Sequence, residues 1–162
     1  MLADVRSCKW GAHASNLGAP LAVRLAHEGG CRKAFIVDPV VVDELGPLAR
    51  YSGLPEIERR SIFHALNQKS VARRAASDLG KPYEQCNFII AHMGGGISVG
   101  AHDHGRVTDV NNALDGDGPF SPERAGSLPA GGLVRLAFSG RYDQPTLLKM
   151  ITGRGGIVAH LG

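Results

Sequence analysis

Three consecutive glycines set between two short apolar runs restrict this chain more than any other feature. The stretch reads Ile90-Ala91-His92-Met93-Gly94-Gly95-Gly96-Ile97-Ser98. Residues 87–92 and 97–101 have the length and content of short strands, and 106–110 follows after a turn at Asp103-His104-Gly105. Strand, turn, strand, turn, strand is a β-meander. Glycine at the first turn permits positive φ and leaves no side chain in the way of a ligand, so several backbone N–H groups can face one anion. A plain hairpin needs fewer than three glycines, which favours a phosphate-binding turn. No Gly-Lys-Ser/Thr follows, and no spaced glycines precede a helix, so neither a P-loop nor a Rossmann turn is present.

Around this meander the pattern is mixed. Residues 15–28 predict a helix, with Leu17, Leu21 and Leu25 four apart and Gly29-Gly30 ending it. Residues 34–38 predict a buried strand that delivers the Asp38 carboxylate at its end. The spacing predicts a long helix over 56–79, with Ile62, Ala65, Leu66, Ala72, Ala76 and Leu79 on one face and Lys69 interrupting it. Gly80 and Pro82 stop that helix. A polar loop rich in Gly, Pro and Asp runs over 111–132, and short helices are expected at 133–138 and 143–150. The fold class is α/β.

Composition excludes several functions. The 22 glycines among 162 residues cluster without a collagen-like period, and the net charge of +3 is only mildly basic. Arg59, Arg60, Arg73 and Arg74 alternate with Glu56, Glu58 and Asp78, which predicts a solvated helix face and no nucleic-acid partner. Three cysteines without C-x-x-C spacing argue against disulfides and structural zinc and fit a reducing cytoplasm. No run is long and apolar enough for a bilayer, so no membrane partner and a cytoplasmic location are expected. Asp115-Gly116-Asp117-Gly118 fails as a calcium loop, because Gly126 stands where a glutamate is needed. His102-Asp103-His104 is expected at a solvated hairpin tip. Asp38, His64, His92 and Arg124 stand out as chemistry-bearing residues, yet each alone has a structural explanation. His64 suits a hydrogen-bonded core histidine, and Arg124 beside Glu123 suits a surface pair.

Together the motifs resemble a known family. His13-Ala-Ser-Asn-Leu-Gly18, Phe35 to Glu44, Ile62-Phe-His-Ala-Leu-Asn-Gln-Lys69, Ala91 to Gly100, Asp109 to Asp115, Gly118 to Arg124 and Ile151 to Gly156 are similar, in order, to the butyrate kinases of the acetokinase family. That family sits in the actin-like and sugar kinase superfamily. The resemblance implies a two-lobe ribonuclease-H-like fold with ATP and substrate between the lobes. On that template residues 1–80 would end the first lobe, and residues 81–162 would begin the second with its phosphate-binding hairpin.

The resemblance also implies roles. Asp38 matches an aspartate near Mg2+ and the transferred phosphoryl group. His64 matches a histidine that donates to phosphoryl oxygens, and Arg124 an arginine that stabilises the same group and holds the carboxylate. His92 with Gly94, Gly95 and Gly96 matches the turn that contacts nucleotide phosphates, although Met93 and Gly95 replace the leucine and asparagine of acetate kinases. His13 matches a further histidine of the cleft that binds substrate. A short-chain fatty acid is the implied substrate, ATP and Mg2+ the cofactors, and a homo-oligomer the implied assembly. Acetate, propionate or a branched acid is the alternative substrate, and a non-enzymatic remnant or binding module the alternative function. The family's amino-terminal phosphate motif and carboxyl-terminal adenosine motif do not occur here. The expectation is therefore a central piece, truncated at both ends, unstable and inactive alone.

Overall fold

The computed structural model describes residues 17–162. The first helix, α1, spans Gly18–Glu28 and is followed by a long irregular segment up to His64. Helix α2 spans Ala65–Asp78. A turn of 3-10 helix at Tyr83–Gln85 then leads into an antiparallel sheet of β1 (Asn87–Met93), β2 (Ile97–Asp103) and β3 (Arg106–Val110) in the order β1-β2-β3. Helices α3 (Ala130–Ala137), α4 (Gln144–Thr152) and α5 (Ile157–Leu161) follow the polar loop.

The meander forms as expected. Met93 pairs with Ile97 and His92 with Ser98 across the triple-glycine turn, and the β2–β3 ladder shifts register between Ala101 and His102. Side chains alternate across a strand, so Ser98, Gly100 and His102 all fall on the buried face of β2. Helix α2 lies along that face. A Cβ at Gly100 would overlap the Gln68 amide oxygen, so glycine here sets how closely helix and sheet approach.

Two apolar clusters hold these elements together. Leu45, Phe63 and Ala65 pack with Val107 and Val110, while Ala72 and Ala76 pack with Tyr83 and Cys86. Both clusters join residues on either side of Gly80, the position expected to separate two lobes. Gly80 itself closes α2 with φ +66°.

Four expectations change on the structure. No strand forms at 34–38, where Phe35, Ile36 and Val37 are exposed; an apolar run becomes a strand only with a neighbour to share its hydrogen bonds, and none of the described residues pairs with it. The long helix starts at Ala65 and not at residue 56. Backbone and side-chain groups of 59–63 are taken by tertiary partners instead: Phe63 N–H donates to Val40 O, Ser61 Oγ to Val42 O, and Ala113 N–H to Ile62 O. As a result Arg59 is not on a helix face but reaches Ala49 O and Val110 O. On α2 the buried positions are Ala65, Gln68, Lys69, Ala72 and Ala76, while Leu66 and Leu79 are exposed. Lys69 is not an interruption. Its ammonium sits 2.7 and 2.8 Å from the two Glu44 oxygens, and Glu44 also accepts from Val107 N–H at 2.8 Å.

Candidate active site

The triple-glycine turn, the start of α2 and the polar loop converge on one place. His64 precedes the first residue of α2, where unpaired N–H groups and the helix dipole favour an anion. His92, near the end of β1, stacks on it with ring centroids 3.7 Å apart and planes 7° apart. The His64 ring nitrogen Nδ1 lies 2.8 Å from Ser98 Oγ. The Asn67 amide group lies 3.0 Å from His92 Nδ1 and donates to it, since the amide nitrogen has no lone pair to offer.

The glycines serve this site differently from expectation. None of Gly94, Gly95 and Gly96 has positive φ. Gly94 and Gly96 are small because their surroundings are close. A Cβ at Gly94 would lie 3.2 Å from His92 Nε2, and one at Gly96 would lie 3.2 Å from the Arg124 guanidinium carbon and 3.3 Å from Ala113 O. Gly94 N–H closes the turn onto Gly96 O. Among the described residues neither the Gly95 nor the Gly96 N–H has an acceptor, which leaves two donors for an anion.

Arg124 is brought in by the polar loop. Ser121, fully buried, donates its hydroxyl to Gly95 O at 2.6 Å and accepts from Arg124 N–H at 3.1 Å, tying the loop to the turn. Arg124 Nη1 donates to Ala113 O at 2.7 Å, and its remaining guanidinium N–H groups stay free among the described residues. Glycine at 156, with φ +67° and ψ −145°, lets the start of α5 close against this loop through Ile157 N–H to Ser121 O.

Burial, the neighbouring His92 ring and the Arg124 charge together hold the His64 ring pKa down at about 4. At neutral pH His64 is therefore an uncharged hydrogen-bond donor, and Arg124 is the fixed cation of the cluster. Two imidazoles, one guanidinium and two free backbone N–H groups make a site suited to spreading negative charge on a phosphoryl group.

Asp38 is not brought into this cluster. Its carboxylate accepts from Arg73 Nη1 at 3.0 Å, and Arg73 lies nine residues along α2 from His64, about 13 Å at the helical rise. Among the described residues no three His, Cys, Asp or Glu side chains converge to hold a metal ion. A single carboxylate already paired with arginine does not make a magnesium site by itself. His13 lies outside the described residues.

Sequence reasoning missed Ser98, Gln68, Asn67 and Ser121. It also misplaced His102, which is 2% exposed and not at a solvated tip. The period of two in β2 pointed the other way, since apolar Ile97, Val99 and Ala101 alternate with Ser98, Gly100 and His102, and it is the second set that is buried.

A model of the acetokinase family matches residues 54–120. Over all 162 residues the chain is 59% identical to butyrate kinase 2 of Clostridium acetobutylicum, of which it covers 45%. It is 61% identical over 150 residues to a protein of Phocaeicola vulgatus named "Probable butyrate kinase", covering 93% of this chain and 42% of that one. The chain thus spans less than half the length of the curated relatives it matches. Among solved structures, acetate kinase of Porphyromonas gingivalis superposes with a TM-score of 0.75 at 22% identity, over 98% of this chain and 42% of that one. A propionate kinase of Francisella tularensis superposes with a TM-score of 0.71 at 19% identity, over 98% and 43%. The fold is accordingly one that this chain shares with part of each of those two structures.

Proposed function

We propose that this chain belongs to the acetokinase family and carries part of the phosphoryl-transfer centre of an ATP-dependent butyrate kinase. The family model over residues 54–120 and the 59% identity to a butyrate kinase support the reading. The observation that carries the reading is the convergence of His64, His92, Arg124 and the Gly95–Gly96 backbone on one small volume. A carboxylate titrates near ~4 and is already an ionised nucleophile at neutral pH, so the site needs no general base. It needs groups that let two anions approach and that take up charge as the phosphoryl group passes in line between them.

In this reading neutral His64 donates to a phosphoryl oxygen. Arg124 spans the same group and the substrate carboxylate, held in place by its bond to Ala113 O. His92 and the free N–H groups of Gly95 and Gly96 hold nucleotide phosphates. Magnesium, when bound, would neutralise phosphate charge; among the described residues no three His, Cys, Asp or Glu side chains converge to hold it. We place the full activity in a protein of the relatives' length, of which this chain spans less than half.

The test is acyl phosphate formation by the complete protein, trapped as the hydroxamate, across acetate, propionate, butyrate and branched acids. Butyrate should give the highest kcat/KM. ATP consumption independent of every short-chain acid would end the proposal, and a clear preference for another acid would replace butyrate with that acid.

A further inference from the structure

Behind His64 runs a line of buried polar groups that phosphoryl transfer as described above does not use. Ser98 and Gln68 are fully buried and His102 is 2% exposed. Gln68 Nε2 lies 3.0 Å from Ser98 O and 2.8 Å from Ser98 Oγ. Gln68 Oε1 lies 3.0 Å from His102 Nε2, and Tyr83 OH lies 2.6 Å from His102 Nδ1.

The donors and acceptors in this line follow from which atoms can donate and from the neutral states of His102 and Tyr83. A backbone carbonyl only accepts, so the Gln68 atom facing Ser98 O is the NH2 group, and its oxygen faces His102. His102 Nε2 must then carry a proton to donate to that oxygen. Buried beside the Lys69 ammonium, with its ring pKa held at about 4, His102 is neutral. Its Nδ1 is therefore an acceptor and takes the Tyr83 hydroxyl proton. The Tyr83 hydroxyl is in turn kept protonated by burial, which pushes its pKa up to about 12. At the other end Ser98 Oγ accepts from Gln68 Nε2 and, at 3.4 Å, from His64 N–H. Its single proton is left for His64 Nδ1 at 2.8 Å. The His64 ring proton consequently sits on Nε2.

We propose that Ser98, Gln68, His102 and Tyr83 are positioning residues, a directional hydrogen-bond chain that holds His64 as the neutral tautomer with its proton on Nε2. The donors all run one way, from Tyr83 through His102, Gln68 and Ser98 to His64, and a proton on His64 Nδ1 would leave the Ser98 hydroxyl proton without its acceptor. Proton transfer along the chain is not required; its effect is on which nitrogen of His64 donates. The inference rests on His64 being the donor to the phosphoryl group, so its test includes a readout independent of activity.

That readout is the ring 15N chemical shifts of His64 in the complete protein at neutral pH, with His64→Gln used for assignment. The wild type should show Nδ1 unprotonated and Nε2 protonated. In Gln68→Glu the carboxylate has no proton to donate to Ser98 and accepts a hydrogen bond from its hydroxyl instead, so Ser98 turns lone pairs toward His64 and the ring proton should move to Nδ1. In Ser98→Ala both tautomers should appear. Either variant should lower kcat about tenfold or more with KM little changed, as expected when a transition-state donor is lost. Should Gln68→Glu not fold, Ser98→Ala alone decides. A wild-type His64 protonated on Nδ1, or a tautomer unchanged in folded Ser98→Ala, would overturn the proposal. A tautomer that shifts while kcat stays constant would uphold the chain and overturn the role of His64.

Discussion

Adding one methyl group at either of two adjacent glycines should separate the two explanations for the triple-glycine turn. If the glycines were needed for positive φ, alanine at 94, 95 or 96 would be strained wherever it was placed. None of the three has positive φ, so only the space around each Cβ matters. At Gly95 the nearest atom to an added Cβ is a Glu123 carboxylate oxygen at 3.7 Å, an ordinary contact. At Gly96 the Cβ would meet the Arg124 guanidinium at 3.2 Å and Ala113 O at 3.3 Å. Both neighbours are held by the same 2.7 Å hydrogen bond, so neither moves freely. Relief requires a shift of a few tenths of an ångström in the guanidinium, at the low end of overpacking costs, about 1 kcal/mol in stability. Misplacing a transition-state cation by that distance costs more in rate, of order tenfold to a hundredfold. The assay is kcat for acyl phosphate formation by the complete protein beside its thermal midpoint. Gly96→Ala should keep its midpoint within a few degrees and lose most of its activity, while Gly95→Ala loses far less. Equal losses at both positions, or full activity in Gly96→Ala, would refute the steric reading.

Three further outcomes follow from the packing. Lys69→Met should destabilise by about 3 kcal/mol because it strands the Glu44 carboxylate, and adding Glu44→Gln should recover much of the loss while keeping an acceptor for Val107; chemical unfolding of both variants checks this. Gly156→Ala should cost about 3 kcal/mol or more in the same assay, since its φ and ψ are open almost only to glycine and a Cβ would overlap Ser121 O and lie 2.7 Å from Arg124 O. Stability should also fall as pH drops from about 6.5 toward 4. His64 and His102 each titrate at about 4 when folded and near 6.5 when unfolded, so in that window the unfolded chain binds more protons. Buried His102 contributes on the order of 3 kcal/mol to the loss and the half-buried His64 less, measurable as midpoint against pH in wild type and His102→Asn.

How much of this was legible in the sequence depends on the range of the forces involved. The meander was legible because its turns are local: Gly94 to Gly96 and Asp103-His104-Gly105 punctuate apolar runs, and the strands pair with their chain neighbours. The start of α2 was not, because residues 59–63 follow a helical pattern yet donate hydrogen bonds to Val40 and Val42 and accept one from Ala113. Lys69 looked like a flaw in an apolar face until Glu44, 25 residues away, supplied its partner. His64, His92 and Arg124 were named from resemblance, and the structure brings them together. Asp38 was named in the same way, but the structure seats it on Arg73. The line from Tyr83 to Ser98 joins four residues that no motif groups together; only the fold puts Gln68 between two residues of β2.

The most direct measurement on the central claim is the rate of butyrate-dependent acyl phosphate formation by the complete protein, wild type beside His64→Ala and Arg124→Ala. The account predicts that each substitution lowers kcat by about 10² to 10³ while the protein stays folded. Near wild-type turnover in either folded variant would contradict it.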